Sequence, residues 1–94
     1  MNSKEENIIK KIEMVFEKLG WTLVSVNEVK NYELNGEYVR VSPVKELNSY
    51  VIETAFSIEE ANNNMYEDSS LFWADQNEED IIKQATEDIR KYYS

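Results

Sequence analysis

Ile8, Ile9, Ile12, Val15, Phe16 and Leu19 recur at helical spacing, with Lys, Glu and Asn between them. That period predicts an amphipathic helix over about residues 4–19. Ser3 with Glu6 three positions later makes a capping-box start, and Gly20 stands where a left-handed C-terminal residue belongs. The period then shortens. "WTLVSV" is β-branched and aromatic and predicts a strand. In "NYELNGEYVRVSP", Asn35-Gly36 separates two strand-like runs, which predicts a tight hairpin with Tyr32 opposite Val39 and Glu33 opposite Tyr38. Pro43 is expected to end that run, because it has no amide proton to donate. "SYVIETAF" predicts a further strand, with Tyr50, Ile52, Thr54 and Phe56 on one face.

Ser57 and Glu60 repeat the capping-box pattern before Ile58, Ala61 and Met65, so a short second helix follows. A third is predicted from Asn77 to about Tyr92, with Ile81, Ile82, Ala85, Ile89 and Tyr93 facing inward. Asn77 suits the N-cap, and Glu78, Glu79 and Asp80 fill the first turn, where the helix dipole favours negative charge. The expected fold is α+β: an N-terminal helix, a three- to four-stranded antiparallel meander, then a short helix and a C-terminal helix packed on one sheet face. Residues 1–94 read as a single domain, with no internal repeat or linker.

Composition narrows the chemistry. Eleven aromatics and 41% hydrophobic residues are too many for a disordered chain. There is no cysteine and no histidine, so disulfides and the usual zinc ligands are excluded, as are serine–histidine and thiolate mechanisms. The two glycines serve as a helix stop and a hairpin turn, which leaves no phosphate loop. The N-terminus lacks a signal-peptide layout, and no apolar run approaches the ~20 residues of a membrane span. The expectation is a cytoplasmic, non-enzymatic protein with no cofactor, no metal and no membrane partner.

The net charge of −9 is uneven. Residues 1–56 carry nine acidic and seven basic side chains, and residues 57–94 carry ten and three. The C-terminal half therefore repels nucleic acid, whose binding relies on Lys and Arg at phosphates, and attracts a basic protein surface. Tyr32, Tyr38 and Tyr50 lie on strands but lack the basic groove that single-stranded nucleic acid requires. The dense carboxylates Asp68, Asp75, Glu78, Glu79 and Asp80 fail as a calcium loop counted from Asp68. Phe72 falls at the fifth position, and Trp73 takes the sixth, where the turn needs glycine.

Within those carboxylates, Tyr66, Leu71, Phe72 and Trp73 occupy an eleven-residue connection, long for so small a domain. Adjacent residues of an extended segment point opposite ways, so Leu71, Phe72 and Trp73 are expected to split, with one aromatic outside. An exposed aromatic inside a charged rim is the usual anatomy of a protein interface. The candidate partner-binding set is Tyr66, Glu67, Asp68, Phe72, Trp73, Asp75, Glu78 and Glu79.

"ETAFSIEEANNNMYEDSSLF" followed by an acidic-started C-terminal helix resembles small acidic α+β proteins of Gram-positive bacteria, some of them immunity proteins of polymorphic toxin systems. The resemblance spans about residues 50–92 and rests on Glu59-Glu60-Ala61 with Asn64, and on Glu67-Asp68. It implies binding and neutralising a cognate basic toxin, often a nuclease, and brings no catalytic residues with it. The alternatives are an accessory or nucleic-acid-mimic protein of phage or mobile-element origin, and a carboxylate-based metal-dependent enzyme.

Overall fold

The computed structural model describes residues 3–93, the side chain of Ser3 excepted, so the cap expected from Ser3 lies outside the described residues. Helix α1 spans Ser3–Lys18. Five strands and a second and third helix follow: β1 Thr22–Val26, β2 Val29–Leu34, β3 Glu37–Val44, β4 Ser49–Ala55, α2 Ile58–Asn62, β5 Glu67–Trp73 and α3 Glu78–Tyr92. A single turn of 3-10 helix, Lys45–Leu47, joins β3 to β4. The strands form one antiparallel sheet in the order of the chain, β1-β2-β3-β4-β5.

The helix stop after α1 is a Schellman motif. The Trp21 amide donates to Phe16 O and the Gly20 amide to Glu17 O, both at 3.1 Å, with Gly20 at φ +94°. The accompanying apolar contact is Phe16 against Trp21, edge to face at 5.3 Å between ring centroids. The β2–β3 hairpin has the predicted register, Tyr32 opposite Val39 and Glu33 opposite Tyr38. Asn35 and Gly36 take φ +53° and +85°, the positive pair a type I′ turn demands. Asn27 and Glu28 repeat that geometry between β1 and β2, with φ +51° and +68°.

Register assigns the two faces. Tyr32, Val39, Tyr50, Ile52 and Phe72 lie on one face, where α1 and α3 bury them under Ile8, Ile12, Phe16, Ile81, Ala85 and Ile89. Ile82 and Tyr93 are half-buried at the rim of this core. On the opposite face, Val26, Ala55 and Ala61 form a smaller cluster with Val24, Tyr38 and Tyr66, so α2 packs on the side away from α1 and α3.

Four local expectations are corrected. Residues 67–73 are a fifth strand, not part of a long connection. Pro43 does not end β3; it pairs in register with Tyr50. Antiparallel pairing alternates, so the Leu34–Glu37 closing pair turns the amides of Glu37, Val39, Val41 and position 43 toward β2. The β2 pairing stops at Val39, so the missing proton of Pro43 costs no ladder bond. Phe56 lies beyond the end of β4 and is 53% exposed, and of Ile58, Ala61 and Met65 only Ala61 is buried, while the other two face solvent. Finally, the Glu60 side chain accepts from the Phe56 amide at 2.9 Å, one residue before the N-cap. The other half of the box is regular, with the Glu60 amide donating to Ser57 Oγ at 3.1 Å.

Candidate functional site

β5 pairs with β4 so that Phe72 stands opposite Tyr50 and Trp73 opposite Ser49. The expected split is therefore resolved: Phe72 is fully buried in the core, and Trp73 is 52% exposed on the face that carries α2. Phe72 thus drops out of the candidate contact set, because no partner reaches it without unfolding the sheet. Leu71, opposite Val51, shares the face of Trp73 and is half-buried. Ser42, Val44, Ser49 and Val51 line up across β3 and β4 on that same face. α2 covers only the far end of it, near Ala55 and Val26. The Ser49 hydroxyl, next to Trp73, is buried and makes no hydrogen bond among the described residues.

The other candidates separate. Asp68 stands opposite Glu53 and belongs to the Trp73 face. Tyr66 is half-buried there, its ring against the Arg40 guanidinium and its hydroxyl donating to Asn31. Glu67, opposite Thr54, takes the other side of the strand, and Asp75 is exposed in the turn after β5. Glu78 and Glu79 open α3 in the helix layer, where Glu78 pairs with Lys11 of α1. Asn77 Oδ1 accepts from the Asp80 amide at 2.9 Å, so the acidic run at 78–80 is a capped helix start. The structure puts Tyr66, Asp68 and Trp73 on one sheet face, with Tyr66 and Asp68 toward its α2 end and Trp73 at the other, and leaves Glu78 and Glu79 on a different surface.

A bulge seats this edge. Ser70 opposes Ile52 and Asp68 opposes Glu53, so Ser69 is the extra residue. Its hydroxyl meets the Thr54 hydroxyl at 2.7 Å.

Two polar arrangements escaped the sequence reading. On the Trp73 face, Arg40 forms a forked pair with Glu53, at 3.2 Å from Nε and 3.4 Å from Nη2, while its guanidinium carbon stands over the Tyr66 ring. Asn31 is fully buried and gives its amide to Val29 O. On the opposite side, Glu13 is buried at the border of α1 and accepts from Lys30 Nζ at 3.0 Å. That hydrogen bond raises the Lys30 pKa above its usual value, against the opposing effect of burial. Glu13 stands four after Ile9 and three before Phe16, inside the apolar stripe, and that position was the available signal.

Among the described residues, no group of three or more Asp and Glu is placed to hold a metal ion, and no helix is long and apolar enough to cross a membrane. No family model, curated protein or solved structure matches this chain.

Proposed function

We propose that this chain is a cytoplasmic, non-enzymatic binding protein that docks a basic protein through the sheet face centred on Trp73. The carrying observation is the exposure of Trp73 beside a fully buried Phe72. An indole half in solvent, over a floor of Val44, Val51 and Leu71, has the make-up of an interface anchor. Asp68 on the face and Asp75 in the following turn supply an acidic rim. The unpaired Ser49 hydroxyl beneath adds a polar group without a partner of its own. An immunity role toward a cognate toxin agrees with this surface and with the net charge of −9. A nucleic-acid mimic needs carboxylates spread along one surface, whereas here Glu78 and Glu79 sit in the helix layer, away from Asp68.

The test is co-purification of the tagged chain with the product of the gene beside its own. Affinity should fall by about 100-fold in Trp73→Ala, as for an interface anchor, with thermal stability nearly unchanged. Association should slow as salt rises. No complex, or one that Trp73→Ala leaves intact, overturns the proposal.

A further inference from the structure

The helix layer carries a cleft whose charge runs against that of the chain. α1 and α3 lie side by side and parallel. Lys11, midway along α1, pairs with Glu78 at the start of α3, and Trp21, just past α1, reaches Tyr93 O just past α3. Between the helices is an opening of about 280 Å³, floored by Val15, Leu19 and Ile82 and flanked by Met14, which is 47% exposed. Lys11, Lys18 and Arg90 complete its lining with Thr86. Among the described residues no carboxylate joins them, although acidic side chains outnumber basic ones 19 to 10 in the chain. We propose that this cleft docks an acidic amphipathic helix of a partner protein. It lies across the sheet from Trp73 and works independently of that surface.

Helix geometry explains the segregation. At about 100° per residue, Lys4, Lys11 and Lys18 recur along the flank of α1 that faces α3. Glu6, Glu13 and Glu17 fall on the opposite flank, where Glu13 is taken by Lys30 of β2. On α3, Ile82, Thr86 and Arg90 follow one another turn by turn on the side of α1. Asp80 and Glu87 lie on its outer surface and Asp88 on its other flank. Glu78 and Glu79 bound the cleft at its N-terminal end, where Glu78 already holds Lys11. Lys18 and Arg90 also stand in the last turns of two parallel helices, whose dipoles they offset. Each helix end carries only roughly half a negative charge, so with Lys91 a positive surplus remains. Lys18 makes no ion pair among the described residues.

These features select the occupant. A basic segment is repelled by Lys11, Lys18 and Arg90, and an uncharged apolar one leaves Lys18 without a partner. A helix laid along the cleft puts an apolar side chain over Val15 and Ile82, beside the adaptable Met14. Its carboxylates one heptad apart meet Lys11 and Lys18, which are themselves about 10 Å apart along α1. Lys11 serves Glu78 and an incoming carboxylate together, because an ammonium is a multiple donor. A nucleic acid is opposed by the net charge of −9, which acts well beyond the cleft.

The experiment titrates the isotope-labelled chain, observed by amide NMR, with a synthetic capped peptide of about three heptads. Leu occupies its a and d positions and Glu its e and g positions, so that like charges oppose its self-association. A second peptide carries Lys in place of Glu, and vesicles of phosphatidylserine in phosphatidylcholine supply an anionic surface. Met14→Glu and Lys18→Glu are the variants, both at exposed positions, and their amide dispersion reports whether each keeps its fold. The expected result is shifts confined to α1 and α3 and a dissociation constant on the order of 10–100 μM that rises with salt. The Lys peptide should not bind, and each folded variant should bind the Glu peptide at least about tenfold more weakly. Should Lys18→Glu unfold, Met14→Glu alone decides. No shift at ~1 mM Glu peptide overturns the proposal, as do shifts centred on Trp73 or equal binding of the Lys peptide. An affinity that Met14→Glu leaves intact overturns it too. Binding to the vesicles without binding to the peptide overturns it in favour of a membrane surface.

Discussion

The Arg40 guanidinium carbon stands 3.8 Å from the centroid of the Tyr66 ring, while the Tyr66 hydroxyl donates to Asn31 Oδ1 at 2.6 Å. One aromatic thus joins β2, β3 and the segment leading into β5. Glu53 accepts from Nε and Nη2 of the same guanidinium. The network is polar but satisfied, and it adjoins the small cluster of Val26, Ala55 and Ala61 at the α2 end of the sheet face.

Tyr66→Phe keeps the stack on Arg40 and leaves the Asn31 oxygen buried without its donor. An orphaned buried acceptor costs about 1–3 kcal/mol. The urea midpoint should fall accordingly with an unchanged slope; a variant as stable as the wild type would show the hydrogen bond to be dispensable.

Phe72→Ala and Trp73→Ala change neighbouring residues with opposite outcomes expected. The first opens a cavity in the core opposite Tyr50 and should cost about 3–5 kcal/mol. The second trims a half-exposed side chain and should cost about 1 kcal/mol or less, while weakening the proposed partner binding by about 100-fold. Equal destabilisation by the two would contradict the register of β5.

Stability should fall steeply at alkaline pH. Burial pushes the Tyr32, Tyr50 and Tyr66 hydroxyls above their usual range, and the Glu13 hydrogen bond does the same for Lys30. All four folded values lie above the unfolded ones. Their contribution is therefore complete below the unfolded values of ~10 for Tyr and ~10.4 for Lys, and is lost as pH rises through the folded ones. Urea midpoints at pH 8 and 9 should agree as far as these groups are concerned, and the midpoint at pH 11 should be clearly lower. A midpoint unmoved at pH 11 would count against this account.

Elements with strong local signals were legible from residue order alone. The stripes Ile8-Ile12-Phe16 and Ile81-Ala85-Ile89, the stop at Gly20 and the turn at Asn35-Gly36 each state their geometry within a few residues. β5 was not legible, for a physical reason. Glu, Asp and Ser disfavour strands, the bulge at Ser69 breaks the alternation, and Leu71-Phe72-Trp73 is apolar throughout. Its strand state comes from pairing with β4, a tertiary cause. Pro43 was misleading in the same way, since its tolerance depends on where β2 stops. At the candidate site, the opposition of Phe72 and Trp73 followed from strand geometry, but which one turned inward was decided by packing against Tyr50. Glu78 and Glu79 were grouped with Trp73 by proximity along the chain, and the turn after β5 carries them to another surface.

Every ladder in the sheet joins strands that are consecutive along the chain; those of β1 to β4 close across short turns and can zip on the microsecond scale of an isolated hairpin, while β5 pairs with β4 across α2. The helix layer differs: Trp21 Nε1 reaches Tyr93 O across 72 positions, and Lys11 reaches Glu78 across 67. Closing a loop of that length in a flexible chain costs roughly 4 kcal/mol of entropy. A sheet already assembled shortens that loop before α1 and α3 meet. The meander thus favours an order of events, local strands first and chain ends last.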